Sequence, residues 1–371
     1  MAAGLVWHEL YMWHDTGTAA WVVPPGLTVE PLRHLENPDG KRRIRNLVEV
    51  SGLMEHVVQL LPRPASEEEV LTLHTREYLE RIKRMSSERG GDAGELTPFG
   101  PGSYEIALLA AGGCLTAVDA VLDGRVGSAY ALVRPPGHHA ERDLGRGFCI
   151  FGNTAIAALH ARRARGLSRV AIVDWDVHHG NGTEHAFYDD PTVLTISIHQ
   201  DNNYPPGSGS MRDAGAGPGE GYNLNVPLPP GSGVGAYVAT FERVVAPALR
   251  AFRPELILVA SGFDASAMDP LASMMMTSDG YRELTRIMLA SAAELCQGRL
   301  VLCHEGGYSP AYVPYCGLAV LEELAGVRTG IEDPLLGLLG GMGGQELQPH
   351  QEAVIREAAA LVEQLRARAA S

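Results

Sequence analysis

The sequence lacks paired cysteines, an excess of basic residues and a long uninterrupted apolar run. Its five cysteines form no CxxC pair and lie in apolar surroundings, which predicts buried thiols in a reducing compartment rather than disulfides or a cysteine-rich metal site. The 371 residues carry 30 basic and 44 acidic side chains, a formal net charge of −14, which argues against binding to the phosphate backbone of nucleic acid. We therefore expect no nucleic-acid partner. The cysteines are Cys114, Cys149, Cys296, Cys303 and Cys316.

Common targeting signals are also missing from the pattern. Residues 1–10 show no basic stretch followed by an apolar core and a small-residue cleavage site. No run approaches the roughly 18 consecutive apolar residues that a membrane span needs. With 45% hydrophobic and 20% charged residues, the composition is that of an ordinary globular protein. We expect a cytoplasmic protein without a membrane partner.

Two common enzyme signatures are absent too. The glycine-rich stretch 208–221 neither follows a strand closely nor contains GKS or GKT, so it predicts a surface loop rather than a phosphate-binding loop. No GxSxG nucleophile elbow is present. We therefore expect the catalytic residues to lie in other polar clusters.

What the sequence does contain is an alternation of short apolar runs and longer amphipathic stretches, which is typical of β-α-β units around a parallel sheet. No internal repeat or long linker divides the chain, so we expect one α/β domain over residues 1–371. The first hundred residues predict irregular loops with a helix only at 64–85. The predicted strands are 129–133, 170–174, 193–198, 256–261 and 300–304. The predicted helices are 104–122, 154–165, 236–252, 278–296 and, in a C-terminal segment whose docking the pattern leaves open, 350–368.

Each predicted strand runs directly into a polar or glycine-rich cluster. The carboxyl ends of parallel strands open onto one crevice, where ligands bind in open α/β sheets, so five clusters at these ends are expected to converge on one site. The clusters read RPPGHH, DWDVHHGNG, HQDNNYPPGSG, SGFDAS and HEGGYS.

The densest cluster, at residues 174–182, predicts a metal centre. Asp176 and His178 are two positions apart at a strand end, so both side chains point to the same side and can reach one ion. Asp174 lies on that side as well, where a carboxylate typically fixes the ring of a neighbouring imidazole. Asp264 follows another strand and offers a third ligand, although such a residue on its own is more often a helix N-cap. An Asp/His/Asp set leaves coordination positions open, as catalysis requires.

Two further clusters carry candidate proton-transfer groups. His138 and His139 follow two prolines and a glycine that fix the direction of the imidazoles, and a neutral histidine beside a metal suits acid–base work near neutral pH. Tyr308 follows two glycines, and a phenol beside a metal can donate to a developing oxyanion. Taken singly, these residues are also typical of plain loops or a pocket rim. Their convergence favours the catalytic interpretation.

The motifs RPPGHHA, GFCIFGN, DWDVHHGNGT, SGFDA and EGGY, in this order, resemble the zinc-dependent histone deacetylase superfamily over residues 41–328. The likeness is strongest to the class II type and to bacterial histone deacetylase-like amidohydrolases. It implies the arginase/deacetylase fold, with about eight parallel strands flanked by helices. It also implies one catalytic Zn²⁺ and hydrolysis of acetyl or related acyl groups from an acetyl-lysine peptide or a small acetamide. Assembly into homo-oligomers is a further expectation of the resemblance.

The resemblance also implies a role for each matching residue. His139 would be the general base, Tyr308 would polarise the acetyl carbonyl, and His138, hydrogen-bonded to Asp174, would give electrostatic support. Asn181 stands where class I enzymes carry an aspartate, which predicts a less basic His139. The zinc ligands would be Asp176, His178 and Asp264, and the substrate-tunnel residues would be Gly147, Phe148, Tyr204, which replaces a usual Phe, and Leu271.

The family also binds one or two K⁺ ions. The first site would use side chains of Asp174 and Ser197, together with backbone carbonyls that include that of Ile198. The other carbonyls of this site would be those of Asp176 and His178, and a second, peripheral site would use the backbone of Phe187, Asp190, Val193 and Tyr222.

Leu271 bears on the choice of substrate. Eukaryotic class IIb polyamine deacetylases carry a Glu at this position, so Leu271 favours an acetyl-lysine peptide or a neutral acetamide. The net charge of −14 weakly favours cations, so acetylpolyamine deacetylation stays open as an alternative activity. A non-catalytic module that binds or senses an acylated ligand, and a two-metal phosphoesterase, are alternatives from other functional classes.

Overall fold

The apolar runs of the sequence pair into one eight-stranded sheet in which every neighbouring pair of strands is parallel. The computed structural model describes residues 1–369. Numbered along the chain, the strands are β1 Ala3–Val6, β2 Val57–Leu60, β3 Ser128–Ala131, β4 Val170–Asp174, β5 Val193–Gln200, β6 Asn223–Leu228, β7 Leu256–Ser261 and β8 Leu300–His304. Their order across the sheet is β6-β5-β4-β7-β8-β3-β1-β2.

Helices cover both faces of the sheet, which explains why strands such as β4 carry apolar side chains toward both faces rather than at alternate positions only. Along β4, Val170 and Ile172 belong to the apolar cluster on one face, and Ala171 and Val173 belong to the cluster on the other. The helices are α1 Asp39–Val50, α2 Glu67–Val70, α3 Arg76–Ser87, α4 Ser103–Leu122, α5 Asn153–Arg163, α6 Asn181–Phe187, α7 Val234–Thr240, α8 Ala246–Phe252, α9 Ser278–Leu295, α10 Val313–Ala325, α11 Leu336–Gly340 and α12 Pro349–Ala369.

The strands β4, β7 and β8 begin and end where the sequence predicts, and the single α/β domain is confirmed. The C-terminal segment forms α12, which buries Ile355, Ala358, Val362 and Leu365 in the same apolar cluster as the sheet. The predicted helix 236–252 is interrupted by one π-helical turn, Phe241–Val245.

The prediction of irregular structure for the first hundred residues is wrong. This region supplies two strands of the sheet, β1 and β2, and the helix α1. Both strands are only four residues long, and α1 carries few apolar side chains among its charges, so neither pattern is prominent in the sequence. The predicted helix 64–85 is two helices, because the chain turns after Val70 and α3 starts anew with Thr75 as its N-cap.

One helix, α4, is long and apolar enough to cross a membrane by length and composition alone. In the fold it packs against the sheet and α5, and 72% of its most apolar window is buried inside the protein. Core helices of globular proteins have the same composition, so this helix is explained by its packing.

The sheet order creates a crevice between β4 and β7. These two strands are neighbours, yet the chain continues from β4 to β5 on one side and from β7 to β8 on the other. The connections therefore diverge and leave space above the carboxyl ends of the two strands, which is where open α/β sheets bind their ligands.

Candidate active site

Three buried side chains from these two strand ends meet at the crevice. Nδ1 of His178 lies 3.0 Å from Oδ1 of Asp176 and 3.2 Å from Oδ2 of Asp264. The candidate ligand atoms of the three residues all lie within 4.8 Å of one another. Ligand atoms in a tetrahedral site with bonds of roughly 2.0–2.1 Å are about 3.3 Å apart. The predicted Asp/His/Asp set therefore fits a single metal ion.

The charges in this cluster also fit a cation. Oδ2 of Asp264 is buried and accepts no hydrogen bond from the described residues. Burial and the carboxylate of Asp176 raise the pKa of Asp264 to about 6. Burial alone would lower the pKa of His178, but Asp176 and Asp264 outweigh it and raise that pKa to about 10. Two buried carboxylates facing one imidazole are what a divalent cation would neutralise.

Backbone amides fix both carboxylates. The N–H of Gly306 donates to Oδ2 of Asp176 at 2.8 Å, and the N–H of Val177 donates to Oδ1 of Asp264 at 2.9 Å. A Cβ at Gly306 would lie 2.0 Å from Oδ2 of Asp264, so only glycine fits there. Gly306, directly after Glu305, thus allows the backbone to approach the candidate ligand carboxylates closely.

The first histidine of the pair lies beside the candidate metal ligands, with Nε2 of His138 3.7 Å from Oδ1 of Asp176. Nδ1 of His138 is 2.9 Å from Oδ2 of Asp174, the contact that the family resemblance implies. Burial lowers the pKa of His138, but Asp176 and Asp174 outweigh it and hold that pKa well above its ordinary value. Glu305 holds the turn in place, since one of its oxygens accepts hydrogen bonds from the N–H groups of Gly137 and His138.

His139 lies beside the substrate cavity with a lowered basicity. Its Nδ1 is 2.8 Å from Oδ1 of Asn181. Burial, together with the neighbouring His138 and His178, holds the pKa of His139 well below its ordinary value. A buried imidazole that is neutral at physiological pH is able to accept a proton.

One cavity contains the predicted wall residues and the candidate catalytic groups together. Ring centroids of Phe148 and Tyr308 are 5.7 Å apart, and those of Tyr204 and His139 are 5.0 Å apart and nearly perpendicular. A Cβ at Gly147, whose φ is +52°, would lie 2.4 Å from the ring of His139, so this wall position requires glycine. The lining includes the predicted Gly147, Phe148, Tyr204 and Leu271 along with His139, His178 and Tyr308.

Other residues at this site have no clear signal in the sequence. The cavity is also lined by Trp21, Leu96 and Asn203, which come from loops far apart in the chain. The carboxylate of Asp269 contacts the backbone of Tyr308. An Asp-Pro pair just before Leu271 signals a turn, but nothing local indicates which distant backbone the aspartate meets.

The residues of the predicted first K⁺ site lie together as well. Asp174 and Ser197 are paired in register across β4 and β5, and both border a small buried pocket. Ile198 is the next residue of β5. At the peripheral site, the carbonyls of Phe187 and Asp190 each accept one backbone hydrogen bond, which leaves each a second lone pair.

Comparison with known proteins identifies relatives along most of the chain. The histone deacetylase domain model matches residues 34–324. A histone deacetylase-like amidohydrolase of Pseudomonas aeruginosa is 51% identical over 330 residues, which cover 88% of this chain and 87% of the relative. A probable deacetylase of Archaeoglobus fulgidus is 39% identical over 329 residues, which again cover 88% and 87%.

Two further matches bear on substrate and fold. Polyamine deacetylase HDAC10 of Mus musculus is 38% identical over 355 residues, which cover 91% of this chain and 50% of the relative. The crystal structure of the HDA15 HD domain superposes with a TM-score of 0.86 and 30% identity, and the alignment covers 100% of this chain and 98% of that one.

Proposed function

This chain belongs to the histone deacetylase family, and from that premise we propose that it is a zinc-dependent deacetylase of acetyl-lysine peptides or small neutral acetamides. It is a hydrolase that acts on amides. The observation that carries the zinc assignment is the set of buried ligand atoms on Asp176, His178 and Asp264, next to His139 and Tyr308 in one cavity.

Each group at the site has its own role in the proposed reaction. Bound zinc would supply Lewis acidity toward the acyl carbonyl and lower the pKa of a water molecule. His139 accepts a proton from the attacking water and returns it to the leaving amine. The hydroxyl of Tyr308 donates to the developing oxyanion. The protonated form of His138, favoured by Asp174, adds positive charge next to the ring of His139 and so gives electrostatic support.

The potassium proposal rests on the loop that carries the zinc ligands. Side-chain oxygens of Asp174 and Ser197 would bind K⁺ together with the carbonyls of Asp176, His178 and Ile198. Such an ion would hold this loop at the end of β4. A second K⁺, at the carbonyls of Phe187, Asp190, Val193 and Tyr222, is part of the same proposal.

The charge of the cavity mouth supports a neutral or peptide substrate. Leu271 is apolar, and Glu95, which accepts from the hydroxyl of the lining residue Tyr204, is paired with Arg146 at 2.9 Å. A cationic acetylpolyamine would find no uncompensated carboxylate among the described lining residues. Acetylpolyamine deacetylation is the second candidate because the chain is similar to a polyamine deacetylase.

The test is release of free amine from an acetyl-lysine peptide, with acetylspermidine as the competing substrate. We expect higher kcat/KM for the peptide, loss of turnover with a chelator and recovery with zinc. Tyr308→Phe removes one oxyanion donor and is expected to lower kcat by about 10²–10³-fold. Tyr315→Phe, at a half-buried tyrosine away from the cavity, is the matched control.

Three outcomes would contradict the proposal. Unchanged turnover in the chelated enzyme would remove the metal assignment, and unchanged turnover in Tyr308→Phe would remove the assigned role of that residue. Peptide binding without release of amine would favour a module that only binds an acylated ligand.

A further inference from the structure

A line of hydrogen bonds connects His139 with charged residues nearer the surface. The amide of Asn181, whose Oδ1 faces His139, donates from Nδ2 to Oε1 of Glu141 at 2.8 Å. The guanidinium of Arg146 donates to the same carboxylate at 2.8 Å. Arg146 also pairs with Glu95 at 2.9 Å. Class I enzymes carry an aspartate at the position of Asn181. In this chain the carboxylate is that of Glu141, which contacts Asn181 and not His139.

The chemistry of these groups determines the direction of every hydrogen bond in the line. An ionised carboxylate only accepts, so Glu141 must face the NH₂ group of Asn181. The amide oxygen then faces Nδ1 of His139, and an oxygen only accepts. Nδ1 must therefore carry the proton, and Nε2 must carry the lone pair. A general base needs this tautomer, because only an unprotonated ring nitrogen can accept the proton of water.

We propose that Glu141 is a positioning residue that sets the tautomer of His139 through Asn181. The proposal rests on the proposed function insofar as His139 is the general base, and it goes beyond it by assigning a role to residues that do not contact the substrate. Arg146 pairs with Glu141 and holds its side chain in place, and Glu95 anchors Arg146.

Burial explains why an amide, and not a carboxylate, contacts His139. Asn181 is only 1% exposed, so a neutral amide at this position avoids placing a carboxylate in the interior. The side chain of Glu141 is 20% exposed and contacts the guanidinium of Arg146, so a charge at this position has a smaller desolvation penalty. Polarisation by that charge makes the amide oxygen a stronger acceptor for Nδ1–H.

A purely structural role for Glu141 is the competing explanation. Its second oxygen lies 3.3 Å from Nδ1 of the exposed His185, and with Arg146 it could simply hold the loop. Loss of a loop anchor would lower stability and raise KM. Loss of the tautomer would lower kcat and change the protonation pattern of one ring, so the two roles have different readouts.

The first experiment reads the tautomer directly by NMR of protein labelled with ¹⁵N-histidine, with the His139 signals assigned from the spectrum of His139→Asn. Wild-type protein is expected to have protonated Nδ1 and unprotonated Nε2. In Glu141→Ala we expect a mixture of both tautomers at His139. Unchanged ring shifts in Glu141→Ala would overturn the proposal. This readout needs no turnover, so it stays valid if the proposed deacetylase activity fails.

The second experiment measures steady-state kinetics, first of single variants and then of a double variant that exchanges the side-chain types of Asn181 and Glu141. Glu141→Ala is expected to lower kcat by about 10-fold or more with a much smaller change in KM. Glu294→Gln, which alters an exposed pair with Arg250, is the matched control and should keep wild-type kcat.

The exchange swaps the amide and the carboxylate between positions 181 and 141. It tests whether kcat depends on a matched donor and acceptor at these two positions. Asn181→Asp alone puts two carboxylates at hydrogen-bond distance and should lower kcat, since like charges repel. Adding Glu141→Gln restores a donor–acceptor pair of reversed direction that still accepts from Nδ1 of His139. We expect the double variant to have a higher kcat than Asn181→Asp by about 10-fold. A double variant no more active than Asn181→Asp, with native melting temperature in both, would contradict the proposal.

Discussion

The carboxylate of Asp269 joins the loop of Tyr308 to the wall of the substrate cavity. Its Oδ2 accepts from the backbone N–H of Tyr308 at 2.7 Å, and its Oδ1 accepts from the N–H of Leu271 at 2.9 Å. Burial and the nearby Asp264 raise the pKa of Asp269 to about 8, although both backbone hydrogen bonds favour the charged form. One side chain thus fixes the position of Tyr308, the proposed oxyanion donor, relative to Leu271 in the cavity wall.

We predict that Asp269→Asn lowers kcat by about 10- to 100-fold, because an amide offers one acceptor oxygen in place of two and the loop of Tyr308 loses a constraint. Steady-state kinetics with an acetyl-lysine peptide measures the effect. Asp333→Asn is the control, since Asp333 also accepts from a backbone N–H two residues ahead but lies away from the cavity. Equal kcat in Asp269→Asn and wild type would contradict the prediction.

Gly306→Ala is predicted to abolish metal binding. The added Cβ would lie 2.0 Å from Oδ2 of Asp264 and 2.7 Å from Oδ2 of Asp176, which forces at least one ligand out of place. The metal content of purified protein, measured by elemental analysis, should fall from one zinc per chain to near zero. At Gly337 an added Cβ meets nothing within 4 Å, so Gly337→Ala should keep its zinc. A fully loaded Gly306→Ala protein would show that the ligands can shift.

Much of this site could be predicted from the sequence because its residues follow strand ends. The apolar runs predict both ends of β4, β7 and β8 correctly to the residue. Because these strands are parallel, the polar clusters that follow them lie at the same edge of the sheet. The contact between His138 and Asp174 was expected from the resemblance to the family and not from the strand pattern.

The supporting hydrogen bonds could not be predicted in this way. Asp269 and Glu141 lie in loops, and their partners depend on the order of the strands across the sheet, which local pattern does not encode. Strands β1 and β2, the last two at one end of the sheet, were missed because four-residue runs are too short to stand out from apolar loop segments.

A buried ion cluster beside Tyr308 gives a prediction about stability. Glu36 pairs with Arg134 at 2.8 Å and with Lys41 at 3.1 Å, and all three side chains are buried. Glu36→Gln leaves two buried cations without a counter-charge, so we expect the free energy of unfolding to fall by about 3–5 kcal/mol. Urea denaturation at neutral pH measures this. Glu49→Gln, at an exposed pair with Arg45, should change it by less than about 1 kcal/mol.

The same cluster predicts a pH dependence. Burial alone would raise the pKa of Glu36, but Arg134 and Lys41 outweigh it and hold that pKa well below its ordinary value. The contribution of this carboxylate to stability is therefore complete above the unfolded-state pKa of about 4.3 and declines as the pH falls toward the folded-state pKa. The difference in stability between wild type and Glu36→Gln should shrink on acidification below about pH 4. A constant difference down to pH 2 would contradict this.

The last prediction concerns the choice between peptide and polyamine. Leu271 lines the cavity beside Asn203, whose side-chain amide donates to the Leu271 carbonyl at 3.1 Å and so fixes this part of the wall. Leu271→Glu would place an uncompensated carboxylate there, because the described lining residues include no Lys or Arg. A carboxylate attracts the ammonium groups of a polyamine and does nothing comparable for a neutral chain.

We expect Leu271→Glu to raise kcat/KM for acetylspermidine relative to an acetyl-lysine peptide by about 10-fold, which is the effect of roughly 1.4 kcal/mol of differential transition-state binding. Leu271→Gln has nearly the same shape without the charge and should leave the ratio near its wild-type value. Added salt should reduce the gain, since the attraction is electrostatic and the mouth is open to solvent. If the Gln and Glu variants shift the ratio equally, shape rather than charge at this position governs the choice of substrate.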